Sequence, residues 1–393
     1  MNPEAQLLLF TAKDVVYGGY RPRITNTLSS KTINWIRLKD LLFYHELDVF
    51  FYSVAQSQKH LLPAEYYSSL KTTYYGKMMY HMIHAKEISG IARMAQKENI
   101  TLAPLKGFSY PQDYYKPYGF RPAQDIDLLV QKNELEKAIV LLESLGYSRH
   151  FQGSENYWRR QHCHLGFKKS LGGSHAIVEL HWSVDIERDG RQILSSLWHR
   201  LKTNCIDGQT SPVLSPEDNL FCIALHQRRF GKMLSLKYVC DAGLILEREK
   251  LDWDYILRTA CREKARASLF FLLAHIQVIL GKDLKDKLNS LRIPLWQRKA
   301  IFHIIKFYGL RNPKSFNVSY LYALCHFILY DSIRYPIDYA LNIPEEQFAK
   351  FYGLPLYSPR TKRRYKLRFL YALFKLLQGT INKLFSPAHS PGK

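Results

Sequence analysis

Pro104-Leu105-Lys106-Gly107, a loop, and then Arg121-Pro122-Ala123-Gln124-Asp125-Ile126-Asp127-Leu128-Leu129-Val130 form the stretch that decides how the chain is read. In an extended chain successive side chains point to opposite faces. Asp125 and Asp127 therefore project from one face, while Ile126, Leu128 and Val130 point the other way, into a core. Two carboxylates that close repel in an apolar setting unless a cation sits between them, which makes a divalent-metal site the natural reading. Mg2+ takes one or two carboxylates plus substrate phosphates, so the pair points toward phosphoryl or nucleotidyl transfer. An isolated Asp-x-Asp is common on solvated strands and loops, so its surroundings have to carry the reading.

Those surroundings are ordered. A candidate strand, Ile100–Leu105, runs into Lys106-Gly107, where a glycine permits close backbone approach to a phosphate. Downstream, Asn133-Glu134-Leu135-Glu136 opens a helix, with Leu135, Ala138, Ile139, Leu142 and Leu145 at helical spacing and Gly146 as its stop.

Leu105-Lys106-Gly107, Arg121-Pro122, Asp125–Val130 and the helix ending Leu145-Gly146-Tyr147 resemble the uncharacterised nucleotidyltransferase family of the DNA polymerase beta-like superfamily. The resemblance implies an Asp-x-Asp strand completed by a third acid on a later strand, together holding two metal ions. Glu179, in Ile177-Val178-Glu179-Leu180-His181-Trp182, is the candidate, and that hexamer resembles the family's third block. Alternation puts Glu179 with Ile177 and His181 on one face and Val178, Leu180 and Trp182 on the other. A charge within an apolar strand needs a partner, which a metal supplies; the plainer alternative is a glutamate on a solvent-facing edge.

The resemblance further implies catalytic and metal-holding roles for Asp125, Asp127 and Glu179, and nucleotide binding by Lys106, Gly107, Ser109 and Arg121. Mg2+ or Mn2+ would be the cofactor and a nucleoside triphosphate the substrate. The acceptor would be a hydroxyl on a protein, sugar, metabolite or RNA, with pyrophosphate released. Where the superfamily commonly has Ser or Gly after the turn glycine, this chain has Phe108, with Ser109 one further on, so backbone amides are the surer phosphate donors. The residues alone leave Arg121 open between a triphosphate contact, a brace for the carboxylates and an ordinary loop ion pair. Lys106 is likewise open between phosphate ligand and snorkelling side chain.

The chain has 393 residues, 47% of them hydrophobic, enough for two or three cores. Its formal charge of +22 and pI near 9.6 suit polyanionic company, whether nucleotide, nucleic acid or an anionic membrane surface. Six cysteines without a Cys-x-x-Cys pair fit a reducing compartment and mostly buried thiols. Met1–Val15 does not read as a secretory signal, and Ala267–Gly281 is too short to span a bilayer comfortably. The expected location is cytoplasmic, with membrane-peripheral attachment through the tail as a variant.

The fold expected is α+β, a small mixed-sheet nucleotidyltransferase core at residues 100–190 between helical regions at 1–99 and 191–345, followed by a basic amphipathic tail at 346–393. Ile33–Ser53 and Tyr74–Gln96 carry helical spacing, broken at Leu62-Pro63. His162-Cys163-His164 suggests a zinc site with His175 or His181, but no Cys-x-x-Cys or His-x3-His spacing supports it, so the segment is read as a strand and hairpin leading to the Glu179 strand. From Trp198 the chain reads as helical: Ser215-Pro216-Glu217-Asp218 starts one helix, Leu236–Leu246 forms another and Leu251-Asp252-Trp253 opens a third. His226 could face the cleft, although a satisfied core histidine is the favoured reading, and Asp241 is expected to brace a neighbouring element. The aromatics Phe302, Phe307, Tyr320, Tyr322, Phe327 and Tyr330 are read as core.

In the tail no acid follows Glu346, and Arg360, Lys362, Arg363, Arg364, Lys366 and Arg368 accompany Leu367, Leu370, Tyr371, Phe374, Leu377 and Ile381 on one helical face. Residues 360–383 therefore offer contact to an anionic membrane or to RNA, or pack on the body, with packing or membrane favoured over RNA. Ser386–Lys393 is expected to be disordered. The competing class is a non-catalytic RNA-binding or membrane-peripheral protein that keeps the fold.

Overall fold

The acidic strand lies second in a five-stranded mixed sheet of a computed structural model. The structure describes residues 1–151, 154–185, 195–228, 234–312, 327–334, 337, 341, 343–356 and 358–371. The chain divides into two units, Met1–Asp331 and Ser332–Lys393.

In the first unit the strands are β1 (Leu102–Pro104), β2 (Ile126–Val130), β3 (Ser148–Arg149), β4 (His164–Leu171) and β5 (Ser174–His181), in the order β1-β2-β5-β4-β3. β2 runs parallel to β5 and antiparallel to β1, and β4 is antiparallel to both β5 and β3. The turn between β4 and β5 is Gly172-Gly173, both at positive φ, as the glycine pair predicts.

One face of this sheet is apolar. Ile126, Leu128 and Val130 of β2, with Val178 and Leu180 of β5, pack against Ile88, Ile91 and Ala95 of a long helix, Ala64–Lys97. Ala138, Ile139 and Leu142 of the helix Leu135–Ser144 join them. Leu145 and Gly146 end that helix, Gly146 at φ 86, where a left-handed conformation costs glycine nothing.

A second, larger core is built from helices. Leu7 and Leu8 of Pro3–Tyr17, Phe50 and Phe51 of Asp48–Ala55, Phe221 of Pro216–Gln227 and Phe270 and Phe271 of Arg266–Leu280 are its largest buried side chains. The predicted caps are present: Ser215 Oγ accepts from Asp218 N at 3.2 Å, and Asp252 Oδ1 from Tyr255 N at 2.9 Å. The helical reading from Trp198 onward missed one element, the hairpin Lys202–Ile206/Gln209–Val213, which turns at Asp207-Gly208 with both residues at positive φ. An Asp-Gly pair is the standard two-residue hairpin turn, and here that local signal outweighed the helical context.

Among the described residues Cys163, Cys222 and Cys240 are buried, in line with the expectation that most thiols are covered, whereas Cys205 and Cys261 are exposed; Cys325 lies outside the described residues. Among the described residues no helix is long and apolar enough to cross a membrane. Of the aromatics read as core, Tyr330 is buried while Phe307 and Phe327 are exposed; Tyr320 and Tyr322 lie outside the described residues.

In the second unit, helices span Glu345–Phe351 and Pro359–Lys366, the latter capped by Ser358, whose Oγ accepts from Thr361 N at 3.1 Å. The ring of Phe348 packs against those of Tyr352, Tyr365 and Tyr371. Leu367 and Leu370 are exposed. Phe374, Leu377, Ile381 and Ser386–Lys393 lie outside the described residues.

Candidate active site

The polar face of β2 and β5 carries the acids. The register sets Asp127 opposite Glu179, two residues before Leu129 meets His181. Strand alternation then turns Asp127, Glu179 and His181 away from the helix-covered face. Asp127 is 6% exposed and His181 is 2% exposed, so their charges are settled by neighbours rather than by water.

Two side chains converge on the Asp127 carboxylate. Lys106 Nζ donates to its two oxygens at 3.0 and 2.9 Å, and His181 Nε2 lies 2.9 Å from Oδ1. Lys106 sits at φ +55 in the turn Lys106–Ser109, a left-handed conformation that the following glycine helps to accommodate. His181 Nε2 also lies 3.3 Å from Glu179 Oε2, and His164 Nε2 lies 3.7 Å from Glu179 Oε1.

Burial works against ionising Asp127, yet Lys106 and then His181 outweigh it and hold its carboxyl well below the usual range. Burial opposes ionised Glu179 too, and its neighbours His181 and His164 bring it below the ordinary value. Burial likewise disfavours a charged His181, but Asp127, Cys163 and Glu179 hold the imidazolium well above its ordinary range. Asp125 is the exception. Burial, and after it the charges of Asp127 and Glu179, push its carboxyl up to about 6, with Lys106 and Lys237 only partly offsetting them.

Asp125, Asp127, Glu179, Lys106 and Gly107 line one cleft of about 240 Å³, together with Phe108, Arg121, His226, Lys237 and Tyr238. His226 thus lies at the cleft, against the favoured core reading: it is half-buried, with Nε2 2.9 Å from the Tyr238 hydroxyl. Lys237 is ion-paired with Glu46 across the same cleft.

Two of the sequence-selected residues are placed differently. Ser109 is buried, its Oγ accepts from Leu214 N at 3.3 Å, and it does not line the cleft. Arg121 lines the cleft, but its guanidinium is committed to Asp241, with Nε 2.8 Å from Oδ1 and Nη2 2.6 Å from Oδ2. Tyr115 donates its hydroxyl to the same carboxylate. Asp241 therefore braces, as expected, and what it braces is Arg121. Gly107 is explained in part by this pair, because a Cβ there would stand 2.6 Å from Arg121 Nη1.

In the sequence Lys237 was not singled out, and His181 was named only as a zinc option, not as a member of the carboxylate site. For His181 the signal was available: it shares a strand face with Glu179 by simple alternation.

The carboxylates fit a divalent cation. Asp127, Glu179 and His181 present ligand atoms within 4.8 Å of one another, and Asp125, raised by burial and then by the charges of Asp127 and Glu179, lines the same cleft.

Fold and site together define an α+β protein with an acid-bearing sheet face beside a Lys-Gly turn, the type of centre that handles phosphates. The chain belongs to the family described as uncharacterised nucleotidyltransferase, whose model matches residues 31–281. No curated protein matches the chain. Among solved structures it is similar to an antigenic nucleotidyltransferase-like protein from Paracoccidioides brasiliensis, at 18% identity, 56% coverage of this chain, 96% of that one and a TM-score of 0.35. That superposition is too loose to transfer the role of any residue.

Proposed function

We propose that the protein transfers a nucleoside monophosphate from a nucleoside triphosphate to a hydroxyl-bearing acceptor and releases pyrophosphate. The observation that carries this reading is the register: Asp127 and Glu179 face each other on parallel strands, with Asp125 lining the same cleft beside Lys106-Gly107. Family membership supports the reaction class.

Asp125, Asp127 and Glu179 would hold Mg2+ or Mn2+, which supplies Lewis-acid polarisation of phosphoryl oxygens. Lys106 brings positive charge to a polyphosphate in the cleft, and the Gly107 and Phe108 amides offer donors in place of the Ser109 hydroxyl, which does not line it. Arg121, fixed by Asp241, acts through shape and potential rather than as a free phosphate clamp. His226, held by Tyr238, stands where an acceptor hydroxyl could give up its proton.

The test is incubation of purified protein with each α-labelled nucleoside triphosphate, Mg2+ or Mn2+ and cell extract, comparing wild type with the Asp125→Asn/Asp127→Asn double variant. Label on a macromolecule or metabolite with wild type alone supports transfer, and fractionation then names the acceptor. One observation favours a second reading, a non-catalytic binding protein: Lys106 and His181 already occupy Asp127. Absence of labelling, together with absence of triphosphate binding by calorimetry, would select it.

A further inference from the structure

We propose that Cys163, His164 and His181 form a binding site for one zinc-type divalent ion, distinct in donor chemistry from the carboxylate cleft behind it. The inference does not depend on nucleotidyl transfer.

The hairpin brings the donors together. β4 and β5 pair His164 with His181, and Trp182 N donates to Cys163 O at 3.0 Å, which closes the ladder beyond the strand end. Ligand atoms of Cys163, His164 and His181 lie within 4.8 Å of one another. Cys163 Sγ is 4.0 Å from His181 Nδ1, and the two imidazole rings are 4.8 Å apart. Ligands at tetrahedral zinc distances stand roughly 3.3–3.8 Å from each other, so closure by about 1 Å suffices.

Two observations separate this from a chance cluster. His181 turns Nε2 to Asp127 at 2.9 Å and Nδ1 to the thiol. This is the arrangement in which a carboxylate fixes the tautomer of a metal-bound histidine. The second is His164 Nδ1, which is buried without a hydrogen-bond partner. A thiol–imidazole hydrogen bond accounts for Cys163 and His181 but leaves that nitrogen unsatisfied, at a cost that burial makes appreciable. An ion placed among the three donors satisfies all of them.

A thiolate with two imidazoles selects zinc-type ions over Mg2+ and Mn2+, and three protein donors leave a fourth position open. On binding, the Cys163 thiol and the Nδ1–H of the His181 imidazolium each lose a proton to solvent, and no electron moves. With Nδ1 anchored, His181 keeps its Nε2–H on Asp127, so the ion would act on the carboxylate cleft by positioning.

The experiment strips the full chain with a chelator and titrates it with Co2+ alone, then with Zn2+ as competitor. Expected are one equivalent of Co2+ that carries a thiolate-to-cobalt charge-transfer band, and its displacement by Zn2+. In Cys163→Ser the band disappears and Kd rises on the order of 100-fold or more. Cys205→Ser, at an exposed thiol, retains both. His164→Gln serves as a second variant: measured against its own metal-free unfolding midpoint, the Zn2+-dependent rise is lost. Stoichiometric Co2+ without a thiolate band, indifferent to Cys163→Ser and abolished by Asp127→Asn, would overturn the proposal in favour of the carboxylates. Absence of stoichiometric binding of either ion would overturn it outright.

Discussion

Replacing Asp125 by Asn should make the metal-free protein more stable at neutral pH while destroying transfer. The carboxyl is pushed from 3.8 to about 6, by burial and then by Asp127 and Glu179. A folded state that holds this proton more tightly than the unfolded chain loses stability as pH rises from about 4 to about 6, and the full cost remains above that window. Two units correspond to about 3 kcal/mol, and relaxation of the cleft brings the expected gain on removing the charge to roughly 1–3 kcal/mol. Urea unfolding of wild type and Asp125→Asn, at about pH 7.5 and about pH 4, each with and without millimolar Mg2+, reads this directly. At the higher pH the variant should unfold at higher urea, and at the lower pH the two should converge. Mg2+ should raise the wild-type midpoint at high pH and leave the variant nearly unmoved. A variant less stable than wild type at pH 7.5, or a difference that persists at pH 4, would refute the claim that Asp125 carries uncompensated charge.

Other consequences follow from the same contacts. Asp241→Asn leaves the buried Arg121 guanidinium without its counter-charge and should cost about 3–5 kcal/mol by chemical denaturation, while Arg121→Met/Asp241→Leu should recover much of that loss. A double variant as unstable as the single one would contradict this. Gly107→Ala places a methyl 2.6 Å from Arg121 Nη1 and should lower stability by about 1–3 kcal/mol; an unchanged thermal midpoint would show that the turn yields freely. His45 and His275 are wholly buried and held down to about 3, by burial above all. The unfolded chain takes up protons there first, so stability is complete above about pH 6.5 and falls as pH drops, by about 2 kcal/mol per histidine at pH 5. His275→Leu should flatten that slope between pH 6.5 and 5, and an unaltered slope would place the acid sensitivity elsewhere.

What could be read from the sequence was what is local. The period of two put Asp125 and Asp127 on one face, and Glu179 stood out as a charge inside an apolar strand. Asp207-Gly208 announced a hairpin as clearly as any turn in the chain, and the helical surroundings obscured it. Pairings across long separations were not legible. Nothing local tells that Arg121 is held by Asp241, or that Gly107 is small partly because that guanidinium lies against it. A glycine beside a lysine signals close approach without saying what approaches. The grouping of Cys163 and His164 with His181 was legible as one option and was set aside for want of metal spacing; such spacing rules describe loops and helices, whereas here two antiparallel strands supply the proximity.

Charge accounting ties the site together. Three carboxylates, Asp125, Asp127 and Glu179, face the cleft, and the protein sets two cations, Lys106 and the imidazolium of His181, directly against Asp127 and Glu179. Lys237 is already matched by Glu46. The remaining negative charge falls on Asp125, the one acid of the three whose carboxyl is pushed up rather than down. A solvated acidic patch would have no reason to bury Asp127 and half-bury Asp125 and Glu179 beside it, and a structural ion-pair network would have no reason to leave one of them without a direct cation partner. The arrangement is intelligible as a cleft whose electrostatics are completed by a cation from outside. Asp125 is therefore the residue at which that account is most exposed to refutation.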